Sequence, residues 1–230
     1  MNSDTALLAL LQLADGLFPA GGFAHSFGLE TYVHHGQVQD RAGLEAFVIA
    51  HLEGAAGPGD AVAAAVASTL ATAGDLAGCL ALDARLDAMK PVPELRAASR
   101  QMGRQTLRVA AALRDDAFLA SLQRALAEGL AYGHHAIVFG AALGREAVAP
   151  QSVAAAYLYS TAALLAGAGV RLLALGQTDG QRVLAAVRPS IARLAAQAAS
   201  SGIDDLWTFT PGLDVAGIRH ATLDARLFRS

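Results

Sequence analysis

A serine nucleophile is the first chemistry to look for, and Ser26 is where the chain invites it. The stretch FPAGGFAHSFGLE (18–30) contains AHSFG, which matches the nucleophile-elbow pattern G-x-S-x-G except that Ala24 replaces the first glycine. An elbow needs a strand before the serine and a helix after it. Here a helical run and a proline-glycine turn precede Ser26, so the expected role is a helix N-cap serving the turn at Leu29-Glu30. A serine hydrolase is the weaker alternative.

Histidines occur as His34-His35 and His134-His135, with His25, His51 and His220 alone. Adjacent histidines on a helix point about 100° apart and do not chelate one ion easily. HExxH and CxxC are missing, and a site shared between two copies stays open. No glycine is followed by Lys-Ser or Lys-Thr, so there is no nucleotide-binding P-loop. GQTDGQ (176–181) reads as a capped helix start, with Thr178 and Gln181 as a capping box. Asp115-Asp116 and Asp204-Asp205 read as caps or solvated turns. Arg100, Arg104 and Arg108 recur at i, i+4 and i+8, either as a solvated face or as a docking stripe for an acidic partner.

The elements that carry these residues are helical. Asp40 caps a helix through Leu44, Phe47, Val48 and Leu52, and Gly54 can stop it. AAGPG (55–59) reads as a loop, after which Asp60 starts a helix bearing Val62, Val66, Thr69 and Leu70. Asp75 opens another that ends before Lys90-Pro91. A long helix begins near Pro93 with Leu95, Ala98, Met102, Thr106 and Val109 inward. Asp115-Asp116 caps the next, and a short apolar segment spans His134 to Leu143. An apolar helix follows from Pro150 to about Leu175, where Gly167 and Gly169 admit close neighbours. The last long helix meets Pro189, which should kink or restart it, and ends at Gly202. The chain from Ile203 looks irregular.

The expectation is one all-α domain of about nine to ten helices (1–205) with an irregular C-terminal partner-binding tail (206–230). Hydrophobic residues make up 54% and charged residues 16%, against about 25% charged in typical soluble domains. The excess apolar area points to a large core or to surfaces covered by partners. A net charge of -3 argues against nucleic acid. Cys79 alone permits no internal disulfide, and Asp4 and Asp15 argue against a signal peptide. The uncharged run from Ala147 to Val170 is long enough to cross a bilayer, but its Ala, Ser, Thr, Gly and Tyr content favours a buried central helix.

Four stretches together carry a family resemblance: FPAGGFAHSFGLE (18–30), LRAASRQMGRQTLR (95–108), AYLYSTAALLAGAGVRLLALGQTDGQRVL (156–184) and LFRS (227–230). In order and spacing they resemble the urease accessory protein F family, UreF. The resemblance implies an all-helical, cytoplasmic protein that is not an enzyme and binds no cofactor by itself. It implies binding to UreD (UreH in some organisms) and recruitment of the GTPase UreG. That assembly handles nickel and GTP and delivers nickel to apo-urease. It also implies the capacity to form a homodimer.

On this resemblance, Pro19, Gly21 and Gly22 shape a rigid loop that closes one helix and aims the next, and Gly28 and Glu30 count with them as partner-binding residues. Phe23 and His25 face outward for a partner while Ser26 caps. Arg171 lies on the GTPase-facing surface with Gln177 and Asp179. Arg226 points back toward the glycine loop, and Leu227 and Phe228 belong to a tail that orders on UreD. Arg100 and Arg104 belong to the docking stripe. Phe23 stands where the family carries an aromatic, and Ala20 where valine is common.

Overall fold

The computed structural model describes residues 3–230, and among them every regular element is helical. The α-helices are α1 (Ser3–Ala14), α2 (Leu29–His34), α3 (Arg41–His51), α4 (Val62–Ala73), α5 (Leu76–Ala88), α6 (Pro93–Leu113), α7 (Ala117–Ala127), α8 (His135–Arg145), α9 (Pro150–Leu172), α10 (Gln177–Ser200) and α11 (Pro211–His220). Aspartates set three of the starts as their positions predict. Asp40 accepts the N–H of Gly43, Asp75 that of Gly78, and Asp116 those of Phe118 and Leu119. Pro93 and Pro150 occupy first turns, where their missing N–H costs nothing.

The centre of the molecule is α8 against α4 and α9 against α10. α8 is buried along ten consecutive residues, His135 to Gly144. Two glycines four apart make its contact with α4 possible. A Cβ on Gly140 would overlap the carbonyl of Ala64, and one on Gly144 that of Ser68. The alanine run of α4 is therefore a close-packed face on which the two backbones touch, and dispersion contacts accumulate there at short range. Gly169 of α9 likewise receives the side chain of Leu44, whereas Gly167 has nothing within 4 Å.

The segment from 52 to 61 departs from expectation. Gly54 does not end α3, and AAGPG is not a loop. Leu52–Ala61 continues as a π-helical stretch directly into α4. Pro58 offers no N–H to the preceding turn, and two carbonyls of this stretch are taken by the later chain. The N–H of Phe209 donates to Gly54 O at 2.9 Å and that of Trp207 to Pro58 O at 3.3 Å. Thr208 and Thr210 press their methyl groups against Gly59 and Gly54. Gly54 and Gly59 thus act as seats for the later chain, a role that composition alone conceals.

Pro189 does not restart its helix, since α10 runs unbroken from Gln177 to Ser200. That helix begins one residue ahead of Thr178. Gly176 is its N-cap, and Asp179, rather than Gln181, accepts the Gly176 N–H. α9 has the length and apolar composition of a membrane span, and just over half of its most apolar window (56%) is buried inside the molecule. The tail is irregular on either side of one helix. It carries α11 and places Leu206, Leu213 and Phe228 in the main core. Its helix packs on α2 and α6 of this chain.

Candidate functional site: the glycine loop and the C-terminal arm

The loop between α1 and α2 holds its shape by backbone geometry. Gly21 and Gly28 sit at φ +87° and +88°, in the left-handed region that favours glycine. Phe27 shares that region at φ +52°, a less common conformation for a side-chain-bearing residue. A single 3-10 turn spans Gly22–Ala24. Gly22 is pressed on the floor, since a Cβ there would come within 2.7 Å of Leu164 and 3.1 Å of Met102. Pro19 and Ala20 line, with Gly167 and Leu164, a groove of about 540 Å³ between this loop and α9.

The last four residues lie across the loop. Arg229 N–H donates to Ala24 O at 2.8 Å. Ser230 O accepts from the backbone N–H of Ser26 and Phe27 and from the Ser26 hydroxyl at 2.9 Å. The Ser230 hydroxyl meets His25 Nδ1 at 2.8 Å. One helix further in, Glu30 accepts the N–H groups of Leu227 (2.6 Å) and Phe228 (3.1 Å) and faces His220 Nε2 at 2.9 Å. His220 Nδ1 faces Glu94 at 2.9 Å, and Glu94 also pairs with Arg226. His220 is fully buried, so α2, α6 and α11 meet on one imidazole.

Arg171, the last charge of α9, closes the arrangement. Its guanidinium lies 3.7 Å from the ring centroid of Phe23 and 4.3 Å from that of Phe228. It also donates to Phe23 O at 2.9 Å. Such a cation held by two rings and a carbonyl is a multi-part contact, and burial lowers its pKa only from a very high starting value. Phe23 remains 71% exposed and Leu227 63% exposed, and Leu17 beside them projects into solvent. The result is a fixed apolar and cationic platform built from the loop, the end of α9 and the arm.

Several expected site residues take other roles. Phe23 faces outward, but His25 does not. It is buried, and burial first, then the charge of Arg229, lowers its pKa. Ser26 is not the N-cap of α2, a position held by Gly28. Its hydroxyl donates to Ser230 O and only weakly accepts from Glu30 N–H at 3.4 Å. Those contacts give it a structural partner rather than a general base. Arg226 turns to Glu94, and the residues of the arm that touch the loop are Arg229 and Ser230. Arg171 bonds to the loop, whereas Asp179 bonds to Gly176 and Arg182. Gln177 is the first residue of α10. Arg100 is no free docking residue: it binds Asp87 and stacks on Tyr132 at 4.6 Å. Arg104 is exposed.

Sequence reasoning missed the contact of Arg229 with Ala24 and the Glu30–His220–Glu94 junction, because the partners of the junction lie 126 and 190 residues apart and those of Arg229 lie further still. The quoted LFRS contained Arg229 but not the contact it makes.

A second polar cluster sits inside the helices. His134 Nδ1 meets Ser99 Oγ at 3.0 Å, and Nε2 meets Asp87 at 2.8 Å. The order Ser–His–Asp imitates a catalytic triad. Yet Asp87 also carries Arg100, and Asp83 accepts the N–H groups of Tyr132, Gly133 and His134 from the same turn. Burial pushes the Asp87 carboxyl up, but the hydrogen bonds of Arg100 and His134 outweigh it, and the net shift is downward. A base whose carboxylate is already neutralised by arginine is a weak one, and the cluster's work is to tie α5, α6 and the start of α8 together. Next to it lies a cavity of about 90 Å³ lined by His51, His135, Tyr157, Lys90 and Asp60. Among the described residues no group of three or more His, Cys, Asp or Glu side chains is placed to hold a metal ion.

The UreF family model matches residues 38–188. The chain is 30% identical over 224 residues to the urease accessory protein UreF of Bacillus sp. (strain TB-90), covering 97% of this chain and 99% of that protein. It is 35% identical over 240 residues to UreF of Rhizobium leguminosarum bv. viciae, covering both chains in full. It is 36% identical over 232 residues to UreF of Thermosynechococcus vestitus (strain NIES-2133 / IAM M-273 / BP-1), again covering both in full. The chain belongs to the UreF family of urease accessory proteins. The family model stops short of the glycine loop and of the arm. The UreF relatives align across both ends, so the platform belongs to the part of the chain that these full-length UreF proteins share.

Proposed function

We propose that this UreF-family chain is a non-catalytic adaptor of nickel insertion. It binds UreD (UreH), recruits the GTPase UreG and modulates it, and so supports delivery of nickel to apo-urease in the cytoplasm. Nickel is cargo of the assembly and GTP the ligand of its GTPase, and this chain holds neither alone. The observation that carries the reading is the loop–arm platform, with Phe23 and Leu227 exposed beside Arg171. A large exposed aromatic on a rigid loop loses little entropy when covered, which is the property of an interface anchor. Size-exclusion chromatography of the chain with UreD and UreG, with and without GTP and nickel, tests it. A co-eluting complex is expected, and its formation should support activation of apo-urease. Failure to co-elute in every condition overturns the reading.

A further inference from the structure

We infer that a groove between α6 and α7, separate from the loop–arm platform, is a docking surface for an acidic amphipathic segment of a partner protein. The inference rests on the adaptor reading for its biological setting and on the following geometry for its chemistry.

The groove measures about 460 Å³ and is lined by Arg104, Leu107, Arg108, Gln123, Leu126 and Ala127. Its floor is apolar, with Leu107 buried and Leu126 half-buried. Its rim carries Arg104 and Arg108, both exposed and one helical turn apart. Eight of the other arginines pair with an acid of the same chain, whereas Arg96, Arg124, Arg188 and Arg219 have no ion pair among the described residues. Arg41 pairs with Glu45, Arg85 with Asp204, Arg100 with Asp87, Arg114 with Glu146, Arg145 with Asp116 and Arg193 with Glu53. Arg104 and Arg108 have no such partner among the described residues. In a chain of net charge -3, two adjacent uncompensated guanidinium groups are a local reversal of sign.

The floor decides what covers them. A small anion would satisfy the guanidinium forks but would leave the leucine floor wet. A segment with two carboxylates four residues apart and an apolar residue between them satisfies both features. Arginine gives planar two-point contacts to carboxylates, and the flat floor accepts one aliphatic side chain. The exposed Leu130 nearby on the chain, and Tyr132 stacked under Arg100, add apolar surface after the end of α7.

The test uses the full chain and a fluorescein-labelled helical peptide with two glutamates four apart flanking a leucine, read by fluorescence polarisation. Binding that weakens as salt is raised is expected. R104E/R108E should weaken it about tenfold or more, which corresponds to about 1.4 kcal/mol. R104Q/R108Q should weaken it less, and circular dichroism should show unchanged helicity for both. The same peptide with glutamines should bind poorly. Equal binding by R104E/R108E, equal binding of the glutamine peptide, or no binding at all overturns the inference. In parallel, wild type is tested for co-elution with UreD and UreG. A wild-type complex alongside a peptide that does not bind defeats only the groove, whereas binding of the peptide without a complex defeats only the adaptor reading.

Discussion

The carboxylate of Glu30 stands 2.9 Å from Nε2 of His220, a residue 190 positions later in the chain. The same carboxylate accepts the N–H groups of Leu227 and Phe228. One buried side chain therefore joins α2, α11 and the arm, and the loop beside it gains its lid.

Removing that carboxylate should release the arm without melting the bundle. Glu30→Ala leaves two backbone donors and Nε2 of His220 without their partner, at about 1–3 kcal/mol for each buried group left unpaired. Hydrogen exchange should show lost protection at the Leu227 and Phe228 amides, with α4, α8 and α9 still protected. Retained protection at both amides would show that the junction is incidental.

Two glycine substitutions should move stability in opposite directions. Gly140→Ala forces a methyl into the Ala64 carbonyl and should cost about 1–3 kcal/mol. Gly167→Ala meets open space in the middle of α9 and should raise stability by about 0.5–1 kcal/mol. Thermal unfolding followed by circular dichroism reads both, and a shared direction would contradict the packing described here.

Acid should destabilise the protein in a defined window. Burial lowers His51 and His135 to about 4, whereas the unfolded chain protonates them near 6.5. Between those values the unfolded state binds more protons. Stability is thus fully present above about 6.5 and is lost as pH falls toward 4, by about 1.4 kcal/mol per pH unit for each histidine. Asp87 and Asp116 have lowered pKa values and act only further down, below the ordinary carboxylate range. Denaturant midpoints across this range give the measurement. His135→Phe should flatten the slope, and an unchanged slope would remove His135 from the account.

Deleting residues 206–230 should destabilise the body rather than leave it intact. The deletion strips Leu206, Leu213 and Phe228 from the core and frees the carbonyls of Gly54 and Pro58. A lower melting temperature and new binding of a hydrophobic dye are expected. An unchanged melting temperature would mean that the arm is an appendage.

These outcomes also mark where the sequence was readable. Asp40, Asp75, Asp116, Pro93 and Pro150 announce helix starts because caps and first-turn prolines act locally, through groups within a few residues. The same locality fails at Gly54 and Pro58. They look like stop signals, yet the carbonyls they leave free are satisfied by Trp207 and Phe209 from the other end of the chain. The outward position of Phe23 followed from its place in the glycine loop. The inward turn of His25 did not, because its partner is Ser230. Arg226 and Arg229 differ by three positions in an extended arm, and only the paired acid Glu94 on α6 decides which one leaves the loop.

The platform itself is best tested at Phe23. Co-elution of Phe23→Ala with UreD and UreG, compared with wild type, separates an exposed anchor from a spectator. Truncating a central aromatic anchor typically costs about 2 kcal/mol or more. Helical content should match wild type, with UreG lost from the complex or held at least about tenfold more weakly. Full retention of UreG by a well-folded Phe23→Ala chain would contradict the claim that the loop and arm form the recruiting surface.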